Sequence, residues 1–102
     1  MIKIDVFYPA GIGNTFDMEY YCNKHLTMVM QLSKLCRRAE AETGLSGMAP
    51  GSAPTYVAMG HLTYDSINDF NASFMPHIEA ITADIPNYTN IEPVIQICEV
   101  KM

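Results

Sequence analysis

Within ten residues, Phe16-Asp17-Met18-Glu19-Tyr20-Tyr21-Cys22-Asn23-Lys24-His25, the chain gathers acids, two phenols and an imidazole. Such side chains exchange protons with organic substrates, and of these only the imidazole ordinarily does so near neutral pH. If the segment is helical, Asp17, Tyr21 and His25 fall in one row, each four-residue step drifting by about 40°. The row runs on into Met28, Val29, Leu32, Leu35 and Cys36, so the face that carries His25 is also the face a helix turns toward a core. His25 is therefore expected to point inward, either as a proton-transfer group or as a core histidine bonded to a carbonyl. Asp17 either orients the ring or caps the helix, Asp being a favoured residue at a helix start. Tyr20 and Tyr21 can donate to a substrate oxygen or to backbone.

Other chemistry is poorly supplied. His25, His61 and His77 show no paired spacing such as His-x-x-x-His, so no metal site is expected. Gly11-Ile12-Gly13 follows a strand-like run, but the third glycine of a phosphate cradle is missing and no basic residue follows closely. Cys22 lies off the His25 row, and no Ser or Cys nucleophile signature is present. Six Lys and Arg against eleven Asp and Glu leave a net charge of −5, with Lys34, Arg37 and Arg38 the one cationic cluster, which argues against nucleic acid and anionic membrane as partners. Three widely spaced cysteines, Cys22, Cys36 and Cys98, without a C-x-x-C pattern read as reduced thiols of a cytoplasmic protein. No secretory pattern precedes Ile2, and no apolar run approaches membrane-spanning length.

A chain of 102 residues has room for one domain, residues 1–102. Ile2, Ile4, Val6 and Tyr8 alternate with Lys3, Asp5 and Phe7, the two-residue period of a half-buried strand that ends at Pro9. A helix is expected from about Asp17 to about Cys36, with a break near Thr27, whose hydroxyl can cap a second segment. In residues 37–43 the signals conflict: Ala and Glu favour a helix continuing to Gly44, whereas Arg38, Glu40 and Glu42 alternate with small residues like an edge strand. Gly44, Gly47, Pro50, Gly51 and Pro54 mark a loop that is a candidate lid or rim. Residues 55–64 read as a strand with both faces largely apolar, where Gly60 marks a bulge or a close approach to the backbone. A second helix starts near Ser66, carries Ile67, Phe70 and Phe74 on one stripe and is interrupted at Pro76, after which His77 can face inward. Residues 93–100 form a last strand, again apolar on both sides.

If residues 37–43 count as a strand, the order is βαββαβ: an α+β, ferredoxin-like, four-stranded antiparallel sheet with both helices on one face. The bare face then calls for cover. Two-sided apolar strands predict that it packs on a second copy, a homodimer closed as a barrel.

Tyr8-Pro9, Phe16-Asp17, Tyr20-Tyr21, His25, Tyr56 to Gly60 and Asp84-Ile85-Pro86-Asn87-Tyr88-Thr89 together resemble the EthD family of the dimeric α+β barrel superfamily. Thr27 departs from the pattern, since members often carry proline there. The resemblance implies that residues 37–43 are strand two. It also implies a mostly apolar pocket between sheet and helices that takes a small apolar or aromatic oxygenated molecule. The expected activity is that of a small oxidoreductase, or an accessory of organic-compound degradation, with no cofactor of its own. His25, Tyr21 and Asp17 are the expected catalytic group; Tyr8, Tyr20, His77, Asp84 and Tyr88 are expected to bind the ligand. The alternatives are a non-catalytic dimeric carrier of a hydrophobic metabolite and, third, a haem-binding relative using His77. His61 is expected in the core or the dimer interface.

Overall fold

The computed structural model describes residues 1–102. Strand β1 (Ile2–Pro9) leads to a long irregular helix made of α1 (Met18–Tyr20), a wide π turn (Tyr21–His25) and α2 (Leu26–Leu32). Strands β2 (Arg38–Thr43) and β3 (Tyr56–Tyr64) follow, then α3 (Ile67–Ser73), a 3₁₀ turn (Met75–His77), α4 (Ile78–Ala83), a second 3₁₀ turn (Ile85–Asn87) and β4 (Val94–Glu99). The sheet order is β2-β3-β1-β4, antiparallel throughout, with both helical layers on one face: the ferredoxin-like α+β plan. No helix is long and apolar enough to cross a membrane.

Alternation along β1 decides which side faces the helices. Ile4 and Tyr8 are buried there, and across the ladder Leu62 and Ala58 share their side. On the helical layer Tyr21, Val29, Phe70 and Ile81 meet them. Each such side chain, once fully buried, contributes about 1.5–3 kcal/mol of transfer free energy. The two helical layers are also tied by polar groups. Ser33, at the end of α2, bonds Tyr64 Oη at 2.7 Å and Ser73 Oγ at 3.0 Å, so its burial leaves no unmet hydroxyl.

The conflict over residues 37–43 resolves as a strand. Arg38, Glu40 and Glu42 pair with Thr63, His61 and Met59, and the ladder outweighs the helical preference of Ala and Glu. The helix itself stops at Leu32, earlier than the apolar spacing suggests, so Leu35 is exposed. There is no break at Thr27. Its hydroxyl donates back to the Cys22 carbonyl at 3.3 Å, and the irregularity lies upstream, where the Leu26 amide reaches the Tyr21 carbonyl, one residue beyond the α-helical partner. Pro76 and Pro86 both sit in the first turn of 3₁₀ segments, where a missing N–H costs nothing.

Gly60 causes no bulge: the β1–β3 register runs evenly past it. A Cβ there would fall on the Tyr21 hydroxyl, so the glycine makes room for that side chain. The uncovered face of the sheet is mixed rather than uniformly apolar. Phe7, Val57, Met59 and Val94 share it with Lys3, Asp5, Arg38, Glu40, Glu42 and His61. Ile95 and Ile97 belong to the other side, the helical side, yet are exposed because no helix extends over β4.

Candidate functional site

Helix one and the segment before β4 are stitched together by backbone and short polar side chains. Phe16 and Thr89 form an isolated β-bridge, the Asp17 amide donates to the Tyr88 carbonyl at 2.8 Å, and Thr89 Oγ1 donates to the Thr15 carbonyl at 2.6 Å. Asn90 adds two more bonds, accepting from the Thr15 amide at 2.9 Å and donating to the Gly13 carbonyl at 2.9 Å. The consequence is that Asp84 and Tyr88 are held over the first two turns of the helix that carries His25.

His25 is 5 % exposed. Its Nδ1 lies 2.9 Å from Asp84 Oδ2. Asp84 is itself held at its other oxygen, which accepts from Tyr20 Oη at 2.7 Å and from Asn87 Nδ2 at 2.9 Å. Burial raises the Asp84 pKa, but the donors Asn87, Tyr20 and His25 together outweigh it and the group stays an anion below the usual carboxylate range. Burial lowers the His25 pKa, and Asp84 only partly offsets this, so the ring is neutral at pH 7. A neutral ring facing a carboxylate through Nδ1 must carry its proton there. Nε2 is then left as the basic nitrogen.

Nε2 faces Tyr88 Oη at 3.5 Å, a loose contact, and Tyr88 Oη is 2.8 Å from Tyr8 Oη. The imidazole lies nearly parallel to the Tyr21 ring, with 14° between planes and 5.6 Å between centroids, and Tyr88 leans on it from 4.6 Å. Burial pushes the Tyr8, Tyr21 and Tyr88 hydroxyls well above their ordinary pKa, which keeps them neutral donors.

These four polar side chains meet at one end of a cavity of about 290 Å³ between the sheet and α2, α3 and α4. The remaining wall is almost wholly apolar, with Val6, Leu62, Phe70 and Ile81 among its residues. Its mouth is flanked by the exposed Ile95 and Ile97 on β4 and by Met75 and Ile78 on the helical side. A cavity at the small end of the ligand-binding range, apolar but for three phenols and an imidazole at one end, fits a compact apolar molecule carrying one or two oxygen atoms.

Of the eight residues singled out in the sequence, His25, Tyr21, Tyr8 and Tyr88 line this cavity, and Tyr20 and Asp84 stand behind His25. Asp17 does not orient the ring. Its Oδ1 accepts from the Tyr20 amide at 3.0 Å, the helix-cap role, and the carboxylate at His25 is Asp84. His77 is absent from the cavity wall, which takes Phe74, Met75, Ile78 and Ile81 from that helical layer instead. The haem expectation, which rested on His77, therefore loses the ligand it named. No residue of 44–54 lines the cavity either, and that loop is not its rim. Asn87, which anchors Asp84, lies in the stretch that carries the family resemblance, but neither it nor the β4 side chains at the mouth were singled out as site residues.

A family model for the EthD domain matches residues 10–92. An EthD-like protein from Ralstonia eutropha JMP134 superimposes with a TM-score of 0.93 at 42% identity, over 99% of this chain and 92% of that one. An EthD family protein from Bacillus halodurans C-125, 17% identical, gives 0.74 over 99% of both chains. A protein from Bacteroides fragilis NCTC 9343, described as dimeric, of unknown function and of ferredoxin-like fold, gives 0.52 at 15% identity over 97% and 95%. No functionally curated protein matches the chain. With most of its length matched by the domain model and a 42% identical relative spanning nearly all of it, the chain belongs to the EthD family.

Proposed function

We propose that this protein binds a small, apolar or aromatic oxygenated molecule in the cavity beside His25, and that His25 Nε2 moves a proton to or from it. The observation that carries this reading is the Asp84–His25 pair, which leaves an unprotonated Nε2 at the polar end of an apolar cavity. Tyr88 and Tyr8 then bond the ligand oxygen, the inner phenol supporting the outer one. An enzyme or enzyme accessory in the breakdown of organic compounds is the setting we infer, in keeping with the ethyl tert-butyl ether after which the Bacillus halodurans relative is named. The mixed open face of the sheet is proposed to pair with a second copy.

A carrier without turnover is the second reading, favoured by the almost wholly apolar wall. The test separates the two. Short ketones and single-ring phenols are titrated calorimetrically, and exchange of ketone α-protons in D₂O is followed by NMR. Binding should fall by at least about tenfold in Ile81→Trp, which fills the cavity, while His25→Gln should keep affinity and lose exchange by about 10²-fold or more. Affinity that survives Ile81→Trp overturns the cavity reading; affinity without exchange in the wild type leaves the carrier.

A further inference from the structure

On the opposite face of the sheet, strand register alone assembles a second histidine site. His61 of β3 stands across from Asp5 of β1 and Glu40 of β2, with Glu42 two residues along β2 on the same side. His61 Nδ1 is 2.6 Å from Asp5 Oδ1, and Nε2 is 2.7 Å from Glu42 Oε1. A neutral imidazole has one N–H and one lone pair, so one of these contacts would set a lone pair against a carboxylate oxygen. Only the imidazolium, with two N–H donors, satisfies both.

The charges around it tell the same story. Lys3 and Asp5 project from β1, Arg38, Glu40 and Glu42 from β2 and His61 from β3, while β4 adds only the thiol of Cys98 and the uncharged Val94 and Gln96. Arg38 pairs with Glu40 at 3.3 Å. With His61 charged, three cations balance three anions; with His61 neutral, each face carries one excess negative charge, and two facing copies would bring two together. Phe7, Val57, Met59 and Val94 supply apolar area beside the cluster, with Phe7 stacked on Tyr56 at 5.0 Å.

We propose that this face pairs with the same face of a second copy only while His61 is an imidazolium, so that the pair comes apart as pH rises. This rests on the sheet-to-sheet pairing proposed above. In the single chain Glu42 is half exposed, and water can stand in when His61 loses its proton. A second sheet laid over the cluster excludes that water and leaves an unpaired carboxylate in a low-dielectric interface, a strongly unfavourable state. The direction follows from the ring itself. Burial lowers the His61 pKa, but Asp5 and Glu42 together more than reverse this and raise it above its ordinary value. Pairing is thus complete on the acid side and lost as pH climbs through that raised value.

The test is sedimentation velocity of the full chain at micromolar concentration, at pH 6 and pH 9. The dissociation constant of the wild-type pair should rise by about tenfold or more at pH 9, since a proton on each chain is linked to pairing. Asp5→Asn lets an amide donate to the bare ring nitrogen, and Glu42→Gln does the same at Nε2; either variant should hold its pair at both pH values. A monomer at both pH values overturns the pairing and the inference with it. A wild-type pair of equal strength at pH 6 and pH 9 overturns the proton requirement while leaving the pairing. An alkaline loss that persists in both variants removes His61 as its source.

Discussion

Nδ1 of His25 lies 2.9 Å from Oδ2 of Asp84, although 59 residues of chain separate them. The contact joins the start of helix one to the turn before the last strand, and it decides which ring nitrogen is basic. Helical spacing offers Asp17 for that role, but Asp17 is used by the helix end. The carboxylate that faces the ring is delivered by bridges between residues 13–17 and 88–90.

Asp84→Asn should therefore lower the His25 titration midpoint further. Burial alone depresses it, and the carboxylate is what opposes burial. The His25 ring proton signals, followed by NMR from pH 4 to pH 8 (a range set about the ordinary histidine value), check this directly. An unchanged or higher midpoint would show that Asp84 exerts no field on the ring.

Acid should destabilise the protein through the same residue. The folded-state pKa of His25 lies below its unfolded value of about 6.5, so the unfolded chain binds the extra proton. The contribution is full above that value and is lost progressively as pH falls from it toward and through the lower folded-state value. Urea denaturation midpoints measured from pH 7.5 down to pH 5 (bracketing the same value) should decline in the wild type and decline less in His25→Gln. Equal slopes would assign the acid sensitivity to other groups.

Gly60→Ala should cost about 1–3 kcal/mol, because the new methyl meets the Tyr21 hydroxyl and that ring, packed edge-on against Tyr8 and Phe16, cannot swing away. Tyr21→Phe removes the oxygen in the way. The double variant should then be more stable than the sum of the single effects predicts, which a denaturation-based mutant cycle reads. A Gly60→Ala protein as stable as the wild type would deny the close approach.

Much of this arrangement is legible in one dimension. The alternation of Ile2, Ile4, Val6 and Tyr8, the caps at Asp17 and Ser66 and the inward side of His25 follow from periodicity and from what each residue type tolerates, whereas Gly60 allowed a bulge or a close approach until the Tyr21 hydroxyl decided for the latter. What the sequence left open depended on partners far along the chain. Residues 37–43 carry helical propensity and become β2 because β3 offers a ladder, and resemblance to the EthD family, not local pattern, pointed that way. The π turn, the helix end at Leu32 and the absence of His77 from the cavity wall belong to the packed molecule and not to any local pattern. Asp84 at His25, and Asp5 and Glu42 at His61, are matters of register between strands and segments, which no spacing within a single element encodes. The two histidines are thus shifted in opposite directions, His25 down by burial beside a single carboxylate and His61 up between two, because the tertiary structure alone chooses their neighbours.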